Sequence, residues 1–125
     1  MSDQPVKYKY LEVIATVNNR TAYDMILKTV HLEWGKFIEG KSPINVPAHG
    51  VMNFSACGRD SSISGTEGYI EWTIPQHPQD PTIKATFDNP AVGKCKASIT
   101  CDPECVAVNW NGKSANSFHV TYTIG

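Results

Sequence analysis

Apolar and polar residues alternate in several short stretches of the chain, which is the pattern of β-strands that bury one face. Within residues 8–17, the side chains of Leu11, Val13, Ala15 and Val17 fall on one side. The same alternation predicts further strands over residues 25–34, 51–56, 68–74, 83–87, 106–110 and 117–124. Turn residues separate these stretches, and no segment keeps a helical period over three turns. The pattern therefore predicts an all-β fold, either a sandwich or a barrel.

Two of these stretches carry more specific expectations. In residues 25–34, five alternate side chains are predicted to share one side of a strand: Ile26, Lys28, Val30, Leu32 and Trp34. Between the last two predicted strands, Asn111-Gly112 predicts a tight hairpin turn, because these residues tolerate positive φ angles.

The composition suits one folded domain that spans residues 1–125. Hydrophobic residues make up 41% of the chain, charged residues make up 18%, and the formal net charge is −1. A nearly neutral chain lacks the dense basic face that binds nucleic acid electrostatically. Charge alone would also bind a membrane weakly, since each basic residue contributes only about 1 kcal/mol. Aromatic insertion or specific recognition of a headgroup would have to carry any membrane binding.

The sequence has no recognisable catalytic motif. It lacks a nucleophile elbow, a zinc-binding His-Glu-x-x-His, a phosphate-binding glycine loop and a dinucleotide fingerprint. The segment Gly65-Thr66-Glu67-Gly68 precedes a strand rather than a helix, so it is interpreted as a tight turn. Glu67 and Glu71 could share a strand face, but such carboxylates are usually solvated. We therefore expect a protein that is not an enzyme and has no catalytic residue, metal or cofactor.

The four cysteines are Cys57, Cys95, Cys101 and Cys105, and three states are open to them. A zinc site is disfavoured by the loose spacing and by the lack of a neighbouring histidine. A local disulfide would require an oxidising setting. Residues 1–5 lack the positive segment and apolar run of a secretion signal, so we expect synthesis in the cytoplasm and free thiols by default.

Three tryptophans bear on a binding surface. Trp34 ends a predicted strand and precedes Gly35-Lys36-Phe37, which suits the membrane interface, where amphipathic rings lie at headgroup level. The same ring could instead cap the core, and both positions stay open. Trp72 alternates with isoleucines and is predicted to be buried, whereas Trp110 suits either environment.

Several motifs, in the same order and spacing along most of the chain, resemble the aegerolysin family. They are Leu32-Glu33-Trp34-Gly35-Lys36-Phe37, Ala56-Cys57-Gly58-Arg59-Asp60 and Gly65-Thr66-Glu67-Gly68. Residues 65–70, 87–93 and 119–124 further resemble the bacterial insecticidal branch, whose members are small subunits of binary toxins. The resemblance implies an antiparallel β-sandwich similar to actinoporins, affinity for a membrane lipid or receptor of the target cell, and a larger pore-forming partner.

The chain departs from the fungal members at two aromatic sites. It has Leu11 beside Tyr10 where they carry a tryptophan, and residues 87–91 read Phe-Asp-Asn-Pro-Ala where they carry Trp-Asp-Cys-Pro-Trp. These departures put a fungal type of lipid specificity in question. The resemblance and the aromatic pattern together give the candidate residues for contact with a membrane or partner: Trp34, Lys36, Phe37, Tyr10, Phe87 and Trp110.

The leading hypothesis is a non-enzymatic component of a two-part, insecticidal pore-forming toxin. It would be made without a signal peptide, as a soluble protein or as an inclusion or crystal, and would act at the target-cell membrane after release. The alternative is a stand-alone lipid- or carbohydrate-binding module with Trp34 or Trp110 as a stacking platform. A structural or developmental protein is a third interpretation.

Overall fold

The computed structural model describes residues 11–59 and 64–125 as two β-sheets packed face to face. The strands of these residues are β1 (Val13–Asn19), β2 (Ile26–Trp34), β3 (Lys36–Phe37), β4 (Val51–Cys57), β5 (Thr66–Thr73), β6 (Thr82–Asn89), β7 (Lys96–Asp102), β8 (Val108–Ser114) and β9 (Phe118–Ile124). Within the same two ranges, no helix is long and apolar enough to cross a membrane. The prediction of an all-β sandwich is confirmed.

The five-stranded sheet has the order β3-β4-β1-β9-β8, and the four-stranded sheet has the order β2-β5-β6-β7. The strand pairs are antiparallel apart from β1 and β9, which run parallel inside the larger sheet. The inward faces of both sheets share one core, which includes Val13, Ala15, Phe54, Ile70, Trp72, Ile83, Phe87, Val120 and Ile124. The predicted burial of Trp72 is confirmed, and its Nε1–H donates a hydrogen bond to the carbonyl of Ile44 at 2.9 Å.

The alternation predicted for β1 and β9 is confirmed by their burial. Phe118 and Tyr122 face the core, whereas His119 between them is exposed. The hydroxyl of Tyr122 donates a hydrogen bond to the carbonyl of Thr86, which links the five-stranded sheet to β6 of the other sheet. Burial raises the pKa of Tyr122, so this hydroxyl stays protonated and remains a donor.

Two β-bulges make the predicted single face of β2 wrong. The register of β2 against β5 shifts twice, the second time between Leu32 and Trp34, and each shift inserts one unpaired residue. Leu32 therefore lies opposite Gly68 and packs on the core, whereas Trp34 lies opposite Glu67 and is exposed. The alternation of hydrophobic residues cannot reveal such a shift, because both faces of β2 carry apolar side chains.

The predicted hairpin turn at Asn111-Gly112 is also wrong, since both residues lie inside β8. The bend between β8 and β9 follows at residues 115–117. A Cβ on Gly112 would lie 2.7 Å from the ring of Phe118. Gly112 is therefore required for the packing of that ring rather than for a turn. The strands β3 and β7 are additional to the predicted ones.

Gly35 carries the chain from β2 in one sheet to β3 in the other. Its φ angle is +101°, and a Cβ would lie 2.7 Å from the carbonyl oxygen of Cys57. Glycine is the residue that combines this φ with such a close approach. The Arg59 Nε–H donates a hydrogen bond to the Gly35 carbonyl at 3.1 Å. Because the chain leaves the four-stranded sheet at Gly35, β2 ends at Trp34.

Candidate functional site

Three of the six candidate residues lie at the surface, but they do not form one site. Trp34 is 48% exposed on β2, and Trp110 is 39% exposed on β8. These strands are at opposite edges of the sandwich, because β8 packs beside β7 at the far edge of the four-stranded sheet. Lys36 is exposed on β3, where it lines a separate cleft with Phe37, Ile38 and Glu39.

The remaining three candidates differ in their placement. Phe87 is 1% exposed, and its ring centroid lies 5.6 Å from that of Phe54, so its assignment to a contact surface is wrong. The position in β6 that resembles the fungal aromatic segment faces inward in this chain. Phe37 is half-buried, with its ring centroid 6.2 Å from that of Phe54. Tyr10 lies outside the described residues.

A crevice of about 400 Å³, here named the rim crevice, opens beside Trp34 at the end of the four-stranded sheet. Its lining residues are Trp34, Ser64, Gly65, Glu67, Asp88, Pro90, Ala91 and Val92. Val92 is 90% exposed, so two large apolar side chains, Trp34 and Val92, flank the opening. The rim crevice thus combines exposed apolar groups with two carboxylates.

Gly65 brings two loops together at the rim crevice. A Cβ on Gly65 would lie 2.6 Å from the carbonyl oxygen of Asn89 and 2.7 Å from the Cα of Pro90. The side chain of Asn89 is buried, and its Nδ2–H donates a hydrogen bond to the carbonyl of Glu12 at 3.1 Å. The Cys95 thiol donates to Asn89 Oδ1 at 3.3 Å. Both hydrogen bonds anchor Asn89, which directly precedes the loop that carries Val92.

A second and larger depression, here named the sheet groove, runs over the outer face of the four-stranded sheet with a volume of about 480 Å³. Its lining includes His31, Glu33, Glu67, Tyr69, Lys84, Thr86, Asp88, Lys96 and Ser98. The sheet groove and the rim crevice share Glu67 and Asp88, so the two depressions lie next to each other.

The acidic end of the sheet groove favours a positively charged ligand. Glu67 on β5 is paired in register with Asp88 on β6, and like charges directly opposite each other repel. Burial, followed by the charges of Asp88 and Glu33, raises the pKa of Glu67, and Lys96 acts in the opposite direction. A bound cation would relieve this repulsion between carboxylates.

The middle of the sheet groove is aromatic and basic. The Nζ of Lys84 lies 4.2 Å from the ring centroid of Tyr69, in a cation–π contact. The ring of His31 lies 5.2 Å from the same ring on its β2 side. The hydroxyls of Thr86 and Ser98 are hydrogen-bonded to each other at 2.6 Å. Amines and hydroxyls therefore lie next to the acidic end.

The sequence pattern did not identify most of this site. Tyr69, Lys84, Asp88 and Val92 lie on different strands and loops, and only the register of β5, β6 and β7 brings them together. The sequence interpretation of Glu67 as a solvated carboxylate misses its neighbour Asp88, which is distant in the sequence and pairs with Glu67 only in the sheet. Among the described residues, no group of three or more His, Cys, Asp or Glu side chains is arranged to hold a metal ion.

The fold and the site define a β-sandwich protein with an apolar rim beside a charged groove. The family model of the aegerolysins matches residues 10–125, and the chain belongs to the aegerolysin family. The resemblance found in the sequence is therefore confirmed at the level of the family. A comparison with curated proteins gives no match.

Three solved structures share the fold. The lipid binding protein Nakanori matches with a TM-score of 0.80 at 12% identity, over 92% of this chain and 71% of its own. RahU, solved in complex with a TRIS molecule, matches with a TM-score of 0.73 at 21% identity, over 91% and 93%. IP-1A from Alcaligenes faecalis matches with a TM-score of 0.71 at 18% identity, over 93% and 91%.

Proposed function

We propose that this aegerolysin is a non-enzymatic protein that binds a membrane lipid through the rim crevice and the adjoining sheet groove. The observation that carries the proposal is the position of Trp34 and Val92, both exposed, at an opening that Glu67 and Asp88 also line. The apolar side chains would enter the bilayer interface while the polar groups face a headgroup. The description of Nakanori as a lipid binding protein supports this class of ligand.

The charges of the site favour a zwitterionic headgroup, with a positive amine and a negative phosphate. Glu67 and Asp88 would accept hydrogen bonds from the amine and lose part of their mutual repulsion. Lys96, paired in register with Asp88, and Lys84 further along the sheet groove would attract the phosphate. One headgroup can contact both signs of charge, because both occur in the same depression.

A second part of the proposal concerns a partner. The chain would act with a larger pore-forming protein, as in the binary toxins that its sequence resembles. The longest strand of the described residues is β2, with 9 residues and two register shifts. A strand that spans a bilayer needs about 9–11 residues that alternate between a lipid-facing and an inward-facing side, and each register shift of β2 breaks its alternation. A separate subunit is therefore the better source of a pore.

Vesicle flotation tests the lipid proposal. Two kinds of vesicle are compared at the same physiological salt concentration. The first contains phosphatidylcholine and phosphatidylethanolamine, and in the second phosphatidylglycerol replaces both of these zwitterionic lipids. We expect the protein to float with the zwitterionic vesicles and to bind the anionic ones more weakly, because phosphatidylglycerol offers no amine. Stronger binding to the anionic vesicles, or binding to neither, would contradict the proposal.

A further inference from the structure

The connection between β7 and β8 places two thiols together. Cys101 lies near the end of β7, and Cys105 follows four residues later. Both side chains pack against the core, and the Cys101 thiol is near enough to help raise the pKa of Cys105. The Cys101 thiol also donates a hydrogen bond to the carbonyl of Pro103 at 3.1 Å. The Sγ of Cys105 lies 3.9 Å from Nδ1 of His77. None of the four cysteines is in a disulfide bond in this structure.

Cys105 is the more accessible thiol of the pair, since Cys101 is only 6% exposed. Cys105 is half-buried, and Cys101 lines a crevice of about 320 Å³ together with Ile99, Glu104 and Val108. Cys95 is at the opposite end of β7, beside Asn89, so it is not part of the pair. The short connection that holds the pair joins the four-stranded sheet to the five-stranded sheet.

We infer that Cys101 and Cys105 form an intramolecular disulfide when the protein meets a low-molecular-weight disulfide such as oxidised glutathione. The bond would fasten the β7–β8 connection to the end of β7 and so strengthen the link between the two sheets. Without such an oxidant the thiols persist. Burial and the neighbouring Cys101 thiol raise the pKa of the Cys105 thiol, which keeps it protonated at neutral pH.

The reaction is an ordinary exchange in two steps. The Cys105 thiol first loses its proton, which its raised pKa makes slow at neutral pH and faster at higher pH. The resulting thiolate attacks one sulfur of the reagent, which breaks the reagent disulfide, releases one thiolate that takes up a proton, and leaves a mixed disulfide on Cys105. The Cys101 sulfur then attacks the Cys105 sulfur and releases the second thiol. Two protein thiols are oxidised, one reagent disulfide is reduced to two thiols, and the two protein protons end on those thiols.

Mass spectrometry of the full chain tests this inference. After incubation with oxidised glutathione, we expect the intact mass to fall by about 2 Da, because two hydrogens leave. Cleavage after Glu104, which lies between the two cysteines, separates them into two peptides. These peptides should stay joined until a reductant is added. We also expect the melting temperature to rise by about 5 °C on oxidation, as for the closure of a short loop.

Two variants make the result specific. Cys105→Ser should gain the mass of one glutathione on Cys101, or remain unmodified, and its melting temperature should not rise. Cys95→Ser is the matched control and should form the same cross-linked peptides as the unsubstituted chain. A cross-link through Cys95 or Cys57, a disulfide-linked dimer, or two separate mixed disulfides on Cys101 and Cys105 would overturn the inference.

Discussion

At the scale of single residues, Trp34 differs from Trp110 in its surroundings rather than in its exposure. Both rings are partly exposed, but Trp34 lines the rim crevice beside Glu67 and Asp88, whereas Trp110 lies on β8 at the other edge of the sandwich. An exposed ring contributes to membrane binding only where its neighbours can also meet the lipid. We therefore propose Trp34, rather than Trp110, as the ring that contacts the membrane.

The first prediction compares these two rings. Trp34→Ala should weaken binding to zwitterionic vesicles about tenfold, the equivalent of about 1.4 kcal/mol, because apolar area is lost from the interface. Trp110→Ala removes a similar exposed ring and should leave vesicle binding unchanged. Both affinities are measured by titration of vesicles. Equal losses in the two variants would show that Trp34 has no special place in binding.

Thermal and denaturant unfolding separate this effect from a loss of stability. Trp34→Ala should keep nearly the full free energy of unfolding, since its ring is exposed. Trp72→Ala serves as the buried reference and should lose about 3–5 kcal/mol, as other core aromatics do. A loss of that size in Trp34→Ala would show that the ring of Trp34 is part of the core instead.

The second prediction concerns Glu67, whose pKa in the folded protein lies above its ordinary value of 4.5. A carboxyl group with a raised folded pKa contributes stability below its unfolded pKa, and this contribution is lost as pH rises through the folded pKa. Glu67→Gln removes the charge that repels Asp88. The variant should therefore melt above the unsubstituted protein at pH 7, and the difference should disappear near pH 4.

The same substitution should weaken the binding of vesicles that contain phosphatidylethanolamine, because a carboxylate partner of the amine is lost. Glu71→Gln is the matched control, since Glu71 is on the same strand but pairs with Lys84 instead of a carboxylate. Glu71→Gln should neither raise the melting temperature at pH 7 nor weaken binding. A Glu67→Gln protein that binds as tightly as the unsubstituted one would remove Glu67 from the site.

At the scale of elements, local patterns predicted the strands that keep a strict alternation and failed where packing interrupts it. β1 and β9 alternate without interruption and were predictable from their apolar residues. The register shifts of β2 depend on its pairing with β5, which the sequence of β2 does not contain. Gly112 resembles a turn residue in the sequence, but glycine is needed at this position because a Cβ would collide with the ring of Phe118 on the next strand.

The third prediction tests the crossing between the sheets at Gly35. Gly35→Ala should lower the free energy of unfolding by about 3 kcal/mol, because a Cβ would be strained at φ +101° and would lie 2.7 Å from the Cys57 carbonyl oxygen. Gly40→Ala is the matched control, with φ +77°; apart from its two chain neighbours, no described residue has an atom within 4 Å of the added Cβ. It should cost only about 1 kcal/mol. Equal costs in urea unfolding would show that the close contact is unimportant.

At the scale of the whole molecule, the candidate site belongs to the arrangement of strands rather than to any one segment. β2 supplies Trp34, β5 supplies Glu67 and Tyr69, β6 supplies Asp88, and the loop after β6 supplies Val92. The family resemblance could point to Trp34, because its motif is local. It could not point to the charged groove, because the facing residues become neighbours only after the sheet has formed.

The last prediction concerns whether this protein forms a pore alone or needs a pore-forming partner. The strands of residues 11–59 and 64–125 are committed to the two sheets, and β2 carries bulges that would interrupt a membrane-spanning strand. The pure protein, at concentrations that saturate binding to zwitterionic vesicles, should therefore release no encapsulated dye. A co-expressed larger partner should cause leakage that depends on this chain, and Trp34→Ala should reduce that leakage in proportion to its weaker binding. Trp110→Ala should leave it unchanged. Rapid release of dye by the pure protein would mean that it forms pores unaided, and binding without any partner-dependent leakage would favour a stand-alone lipid-binding module.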